Sequence, residues 1–498
     1  MHQRPVPGSR PRYRGAFVLW LTLAALPAAG QIGPLTGQSL FFNQASNAQA
    51  NSLAVNAGLL YTSNATYTAN ATNATLALVG LSGNITYQGP RLDYHLLSDI
   101  SVAKYLNGTF PTEPSGSLDA GAQLQIVPGF FSWIVQNTYS QVLINPYVPV
   151  TTNNLENINN FSTGPRFTLR PTLRTSVTLE GTYSYVSGSA PAGFVNIDSQ
   201  RYRGSLKAER AFSSTSSLYV RGSYEKVDFK DQVDNNNFSL GEAVAGYSLS
   251  DARTALDISG GYSKVRVEDV LVPVHSIIGV VEERETQTSG GLTWNFNLSR
   301  LITPSQRVAL FGGQQYTDAA TALRASFNQP GSGIAPTQLA AGGPFQGRTF
   351  GAGWHFEALR TRLDVSVASS RTRYLVISPL TPNTNAKFAN VALARQLSPV
   401  LTWDIGATYQ RWNNIGGQAP INGQASWNMF TAFTSLQWRV GERLGLRFFY
   451  QRSSQFGVGS NQVGIMASYD LISGARQAIA ELPQLLPTSP SSMRSPQR

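Results

Sequence analysis

The chain has 498 residues, no cysteine and a formal net charge of +11, and only 13% of its residues are charged while 10% are aromatic. An average soluble protein carries about 25% charged residues, so this composition favours a chain with a large face turned away from water. The absence of cysteine excludes disulfide scaffolds and thiolate metal sites. The basic residues are scattered and do not form the Lys/Arg clusters of nucleic-acid-binding proteins, so nucleic acid is not an expected partner.

The N-terminus predicts a cleavable secretory signal over Met1 to Gly30. Four arginines precede an apolar stretch from Ala16 to Leu26, and small residues follow up to Gly30, where we expect cleavage. An N-terminal membrane anchor is the alternative, disfavoured because the stretch is shorter than the roughly 18 residues that span a membrane. Residues 31–51 would form a periplasmic segment, too short for the plug of a TonB-type transporter.

The next part of the chain predicts five alternating strands joined by turns and loops. Gly89-Pro90 and Pro128-Gly129 are expected as tight periplasmic turns. The predicted strands are Ser52 to Thr62, Thr75 to Tyr87, Leu92 to Leu106, Ser117 to Val127 and Phe130 to Ile144. The predicted loops on the opposite side are Ser63 to Ala74, Asn107 to Gly116 and Asn145 to Asn160.

A repeat appears between Thr163 and Ser473. Short polar turns recur every roughly 40 to 50 residues, the length of a hairpin plus a longer loop. After most turns an apolar residue, a small residue and a tyrosine follow at positions i, i+2 and i+4, which lie on one face of a strand. A tyrosine that ends an apolar band is typical of the aromatic girdle at a membrane interface. The predicted girdle consists of Tyr183, Tyr224, Tyr262, Tyr409 and Tyr450.

These patterns predict an all-β fold: a single closed transmembrane antiparallel β-barrel of about 20 strands, with 18 as the alternative count. The barrel would occupy residues 52–473, with both termini periplasmic and a disordered Ser/Pro-containing tail at 474–498. A soluble sandwich or propeller is the alternative. It is disfavoured by the tyrosines at the strand ends and by the predicted signal.

The face opposite the tyrosines is polar and would line the lumen. Asp257, Asp364 and Asp404 share one register of the repeat, while Glu180, Arg221 and Arg447 lie one inward step further along. Two roles stay open for these charges: tuning permeation through a pore, or forming cross-strand ion pairs that stabilise the barrel. The longest predicted loop, Asp318 to Pro344, would either fold into the lumen or lie on the surface.

The sequence carries no pattern that predicts catalysis, a metal site or a cofactor. The four histidines lack metal-ligand spacing, and there is no nucleophile elbow, Walker loop or dinucleotide fingerprint. We therefore expect no enzyme. An outer-membrane hydrolase, the disfavoured alternative, would depend on His95 or His355, which lie on predicted strands.

One region resembles a known family. Trp133-Ile134-Val135-Gln136-Asn137, the Asn-rich stretch Asn153 to Asn160 and the strand opening Gly164-Pro165-Arg166-Phe167 resemble outer-membrane β-barrels associated with the exosortase/PEP-CTERM system and exopolysaccharide gene clusters. The resemblance implies a part in exopolysaccharide export or outer-membrane organisation. Its motifs are diffuse strand patterns, so it implies no functional residues.

The sequence thus predicts a Gram-negative outer-membrane barrel, most simply a pore or conduit for exopolysaccharide or for diffusing solutes. A non-conducting structural or anchoring barrel is the alternative. The expected partners are outer-membrane lipid and, for a conduit, polysaccharide or proteins of an export machinery.

Overall fold

The computed structural model describes residues 51–143, 151, 154–189, 197–231, 236–276, 279–322, 343–376, 383–415 and 426–472. Side chains at 113 and 271–283 are outside this description. The predicted signal peptide, its cleavage site, almost all of the 31–51 segment, the 474–498 tail and most of the Asp318 to Pro344 loop lie outside the described residues.

Twenty antiparallel strands make up almost all of the described chain. They are β1 Ser52–Thr62, β2 Ala74–Gln88, β3 Leu92–Tyr105, β4 Glu113–Val127, β5 Phe131–Leu143, β6 Leu155–Thr172, β7 Thr175–Gly188, β8 Ser199–Ala211, β9 Ser216–Phe229, β10 Phe238–Ser250, β11 Thr254–Ser276, β12 Gly279–Thr303, β13 Gln306–Thr317, β14 Phe345–Ala358, β15 Thr361–Tyr374, β16 Thr384–Ser398, β17 Leu401–Asn414, β18 Ser426–Arg439, β19 Leu444–Gln455 and β20 Val458–Ile472.

Each strand pairs with its neighbours in sequence, and β1 pairs with β20 from Leu53↔Ile472 to Thr62↔Gln462. The sheet is therefore a closed barrel without a free edge, which confirms the predicted fold and the count of 20 strands. Among the described residues, no helix is long and apolar enough to cross a membrane.

Side chains alternate between the two faces of the wall, as the period of two along a strand requires. On β9, Leu218, Val220 and Tyr224 are 46%, 60% and 57% exposed, whereas Glu225 and Val227 are 5% and 0% exposed. The exposed set is apolar and faces out, and the buried set faces in. Large apolar side chains recur at the outward positions of nearly every strand.

The two ends of the barrel differ in the length of their connections. At one end, here called the short-turn end, each even-numbered strand from β2 to β18 is joined to the next strand by two to four residues. At the other, the long-loop end, most connections have seven or more residues, and the link from β13 to β14 spans 318–344. The exceptions are β11–β12, whose strands have 23 and 25 residues, and the two-residue turn at Phe456-Gly457.

Two predicted loops are wrong in part, and the first is Asn107 to Gly116, whose last four residues belong to β4 because that strand begins at Glu113. Asn145 to Asn160 was expected to be a loop because of its asparagines, but β6 begins at Leu155, and Asn157 to Asn160 pair with β5. The reason is the register: Ile158 and Asn160 face inward and are 0% and 2% exposed, so strand burial outweighs the turn preference of asparagine.

The inner wall has two zones. Near the long-loop end, buried apolar side chains form separate clusters, for example Val227, Phe229 and Phe238 in one and Trp412 with Trp427 in another. Towards the short-turn end the inward side chains are mostly polar or charged. Among the described residues, the buried apolar groups form six local clusters on the wall and no single core.

Candidate functional site

All six charged residues singled out from the sequence occupy inward positions. Asp404 is 1% exposed, while the next residue, Ile405, is 40% exposed on the outer face. Asp257 similarly lies next to Ile258, which is 46% exposed. The register enforces this orientation, because a slip by one residue would exchange the two faces and place carboxylates in an apolar exterior.

Glu180 and Arg221 each form an ion pair with a residue of opposite charge on the neighbouring strand. Arg166 on β6 donates from Nη2 and Nε to Glu180 Oε2 at 2.7 and 2.8 Å. Arg221 Nη2 on β9 donates to Glu242 Oε1 on β10 at 2.8 Å. These are neighbouring-strand pairs of the kind that stabilises antiparallel sheets.

Asp364 lies at the centre of a cluster on β14 and β15. Its Oδ1 is 2.6 Å from His355 Nδ1, and Arg362 Nε donates to its Oδ2 at 3.0 Å. The second ring nitrogen of His355 lies 3.4 Å from Glu357. Arg362 and Asp364 are 4% and 5% exposed, so this is a desolvated ion pair.

Asp404 and Arg447 belong to a third group, on β17 to β19. Ser435 Oγ and Gln437 Nε2 donate to Asp404 Oδ2 at 3.0 and 2.7 Å. The Arg447 guanidinium interacts electrostatically with Asp404 and with Asp99, which lies on β3 beyond the β20–β1 closure. This group therefore links both sides of the seam that closes the barrel.

Asp257 differs from Glu180 and Asp364, each of which contacts a cation directly. It accepts hydrogen bonds from Tyr219 at 3.3 Å and from Asn295 at 3.3 Å, both of which are neutral. Lys207 and Arg221 interact with it only at longer range. Like Asp404, Asp257 is therefore a predicted lumen carboxylate whose hydrogen-bond donors are neutral side chains.

The two strand histidines have carboxylate partners. His95 Nε2 lies 3.2 Å from Asp119 Oδ2, and His355 lies between Asp364 and Glu357. Neither histidine has a serine hydroxyl as its hydrogen-bond partner in the described part of the chain.

The five predicted girdle tyrosines all lie on outward positions towards the long-loop end. Their exposed fractions range from 37% for Tyr183 to 57% for Tyr224. Two hydroxyls bond to asparagines on the same face, Tyr409 to Asn428 at 3.2 Å and Tyr450 to Asn461 at 2.9 Å. The outer face therefore carries apolar groups below the tyrosines and polar groups at their level.

A feature that the sequence reasoning did not resolve lies at the long-loop mouth. Residues 318–322, here called the mouth segment, follow β13 and contain a single helical turn at 319–322. Ala320 is 0% exposed and packs against Val142, Ile158, Val186 and Ile197. These four belong to β5, β6, β7 and the connection before β8, so the segment crosses from β13 to a distant part of the inner wall.

A buried ion pair holds the mouth segment in place. Arg201 Nη2 lies 2.7 Å from Asp318 Oδ2, with side-chain exposures of 2% and 3%, and Arg201 Nη1 donates to Thr321 Oγ1 at 3.1 Å. Burial by itself raises the pKa of Asp318, but the Arg201 guanidinium and hydrogen bonds from Thr321 and Ala320 hold that pKa below its usual range. Asp318 is therefore ionised at neutral pH.

The connection between β1 and β2 also turns inward. Ala65 and Tyr67 are 5% and 3% exposed, and Ala65 packs against Leu60, Leu76 and Leu78 of the wall. Burial raises the pKa of the Tyr67 hydroxyl. Two separate connections at the long-loop end thus cover the apolar inner wall of the mouth.

Comparisons with known proteins add little to this description. No family model matches the chain, and no curated protein matches it. Solved structures with a similar fold include the ferric-catecholate import receptor Fiu from K12 E. coli, with a TM-score of 0.40, 9% identity and coverage of 84% of this chain and 82% of that one. The FrpB iron transporter from Neisseria meningitidis has a TM-score of 0.43, 9% identity and coverage of 85% and 82%. The siderophore receptor PirA from Pseudomonas aeruginosa has a TM-score of 0.40, 8% identity and coverage of 85% of this chain and 81% of that one. At these scores the likeness carries no argument about function.

Proposed function

We propose that this protein is an outer-membrane barrel that passes solutes through a water-filled interior, with a mouth narrowed at its long-loop end. The first support is the outer surface. A closed sheet satisfies every strand hydrogen bond internally, and its exposed side chains form an apolar band that ends in tyrosines. Such a surface is stable in lipid and would aggregate in water.

The orientation follows from the connections. In outer-membrane barrels the short turns face the periplasm and the longer loops face outward. The short-turn end, where β1 begins and β20 ends, would then be periplasmic, and the mouth segment would lie at the external side.

The observation that carries the proposal is the character of the inner wall. Barrels of about 8 strands are filled by their own side chains, whereas those of 16 or more enclose space. Here 20 strands surround the interior. The described buried apolar side chains form six local clusters on the wall, and towards the short-turn end the inward side chains are mostly polar or charged. A polar inner wall favours water and dissolved solutes in the space that a barrel of this strand number encloses.

The mouth segment supports a narrowed entrance. It reaches across the interior from β13 to the wall near β5 to β8, and its buried Arg201–Asp318 pair anchors it there. A pore with such a segment selects solutes by size at its external side and by charge along the wall below.

A non-conducting structural barrel is the second candidate, and the paired lumen charges favour it. Five of the six predicted residues, Glu180, Arg221, Asp364, Asp404 and Arg447, have partners of opposite charge. Exopolysaccharide export, which the family resemblance implies, is a narrower form of the conduit. It would be supported if added polysaccharide blocked the current.

Planar-bilayer recording of the purified full chain distinguishes the candidates. We expect discrete conductance steps with a preference for cations, and a reduced preference after Asp257→Asn, Asp364→Asn and Asp404→Asn are combined. Asp251→Asn is the matched control, because this carboxylate lies exposed in a short turn. No conductance, together with a lower melting temperature for the triple variant, would refute the pore and favour the structural barrel.

A further inference from the structure

On the outer face, a cluster of exposed cations lies above the girdle on β14 to β17. Following two of these strands towards the long-loop end, an aromatic residue at girdle height is followed two positions along by a basic one, Phe350 by Arg348 on β14 and Tyr409 by Arg411 on β17. The same step recurs in Tyr224-Lys226, Tyr262-Lys264 and Tyr450-Arg452. The basic residues of this sector, here called the outer basic patch, are Arg348, Arg371, Arg373, Lys387 and Arg411, all exposed.

The register brings like charges together in this patch. Arg348 is directly opposite Arg371, and Lys387 is directly opposite Arg411. Arg371 pairs with Asn385 and Ser369 with Lys387, so Arg371 and Lys387 are diagonal neighbours, about 7–8 Å apart in this geometry. The cations therefore form a continuous arc across four strands.

Nothing within the described chain neutralises this arc. None of the outward positions of β14 to β17 carries a carboxylate. None of the five patch residues forms an ion pair with a described acid, although Arg348 is oriented by two donations to Gln314 Oε1 at 3.0 and 2.6 Å. In contrast, Lys226 on β9 is paired with Asp228 at 2.9 Å. Like charges directly opposite each other destabilise a sheet unless an anion lies between them.

We propose that the outer basic patch binds the phosphate groups of the phosphorylated glycolipid of the external leaflet, a bisphosphorylated lipid of the lipid A class. The position of the outer basic patch favours this lipid as its ligand. The patch faces lipid, since Phe350 and Val367 beside it are 51% and 52% exposed, and it lies at headgroup height beyond the tyrosines. Guanidinium groups donate two parallel hydrogen bonds to a phosphate, and a two-phosphate headgroup matches two adjacent cation pairs. The inference goes beyond solute passage and requires only that the barrel is inserted in the membrane.

The test uses full-length protein in a neutral detergent, with bisphosphorylated lipid A as the probe. The dephosphorylated lipid and inorganic phosphate serve as comparison ligands. We expect the wild type to bind the dephosphorylated lipid at least tenfold more weakly, and 10 mM inorganic phosphate to change the affinity for lipid A less than twofold. Equal binding of both lipids would overturn the proposal. Full displacement by inorganic phosphate would overturn the assignment to a lipid.

A matched pair of variants locates the site. The patch variant combines Arg348→Gln, Arg371→Gln, Lys387→Gln and Arg411→Gln. The control combines Arg210→Gln, Arg253→Gln, Arg300→Gln and Arg395→Gln, four exposed cations at the short-turn end. We expect at least tenfold weaker lipid A binding for the patch variant and less than a twofold change for the control. Equal losses in both variants would refute the location.

Thermal stability gives an independent readout. Without lipid A, the patch variant should melt at or above the temperature of the wild type because repulsion between the cations is removed, and lipid A should raise only the wild-type melting temperature. A lower melting temperature without ligand would show a structural role and contradict the proposal. If the patch variant does not fold, the double variant Arg371→Gln and Lys387→Gln is tested by the same criteria. Bilayer insertion and conductance, measured separately, distinguish failure of this inference from failure of the pore.

Discussion

Replacing Asp318 with asparagine should release the mouth segment from the inner wall. The substitution keeps the size of the side chain but leaves the Arg201 guanidinium, 2% exposed, without its ion-pair partner. Breaking a buried pair in this way costs about 3–5 kcal/mol. At 1.4 kcal/mol for each factor of ten, the ratio of anchored to released segment should fall by at least about 100-fold.

The absence of cysteine in the chain makes this release measurable with a single introduced thiol. Ala320 is 0% exposed in the anchored segment, so an Ala320→Cys thiol should react slowly with a water-soluble maleimide. Adding Asp318→Asn should accelerate labelling by about two orders of magnitude, since the rate follows the released population. Ser213→Cys, at an exposed short turn, controls for reagent reactivity and should label equally in both backgrounds.

A charge-free pair separates loss of the anchor from general damage. With Arg201→Met and Asp318→Leu together, no buried charge is left unpaired, so protection of the thiol should return to within about tenfold of the wild type. Unchanged labelling in the folded Asp318→Asn protein would refute the anchoring role of the ion pair. Equal labelling of the single and double variants would show that the charge is not what matters.

Three further outcomes are expected. Asp364→Asn should destabilise the barrel by about 3 kcal/mol, because the Arg362 guanidinium, 4% exposed, loses its ion pair with Asp364, and this is measured as a lower heating temperature at which the folded band disappears from the gel. Because the folded-state pKa of Asp318 is lowered, its stabilising effect is present above the unfolded value near 3.9 and is lost as the pH falls through the folded one. The hydrogen-exchange protection factors of residues 318–322, which allow for the pH dependence of intrinsic exchange, should therefore stay constant from pH 8 to about pH 5 and fall only below about pH 4, and a fall near pH 6 would contradict this. Gly351→Ala should cost about 1–3 kcal/mol, since the new Cβ would overlap the Phe311 ring at Cζ, and an unchanged melting temperature would show that the ring moves aside freely.

Much of the fold could be predicted because strand alternation is local. The pattern around Tyr224 or Tyr409 specifies which face of a strand is apolar, and a barrel with one apolar face repeats that rule in every strand. The inward orientation of Asp257 and Asp404 follows from the same parity. Loop boundaries were harder to predict, as β6 illustrates, because asparagines that favour turns in isolation are held in the ladder by their neighbours.

The partners of the inward charges could not be predicted from single strands. Pairing of Arg166 with Glu180 depends on the register between β6 and β7, which is set by the turn and by burial together. The Arg201–Asp318 pair is even harder to predict from the sequence, because it joins residues 117 positions apart across the interior. The one available signal was the sequence Asp-Ala-Ala-Thr-Ala directly after β13, a small-residue helical turn unlike the Gly- and Pro-rich remainder of that connection.

The ladder between β1 and β20 also constrains how the barrel is assembled. Every other strand pairs with a neighbour in sequence, so hairpins form from local contacts, whereas Leu53↔Ile472 and the following pairs join segments some 400 residues apart. Until β20 has been synthesised and delivered, the growing sheet has two open edges with unpaired backbone groups, which lipid cannot satisfy and which invite pairing between chains. Closure is consequently the slow, all-or-none step of biogenesis, and a chain that lacks β20 alone should accumulate as an aggregation-prone open sheet rather than as a slightly smaller barrel.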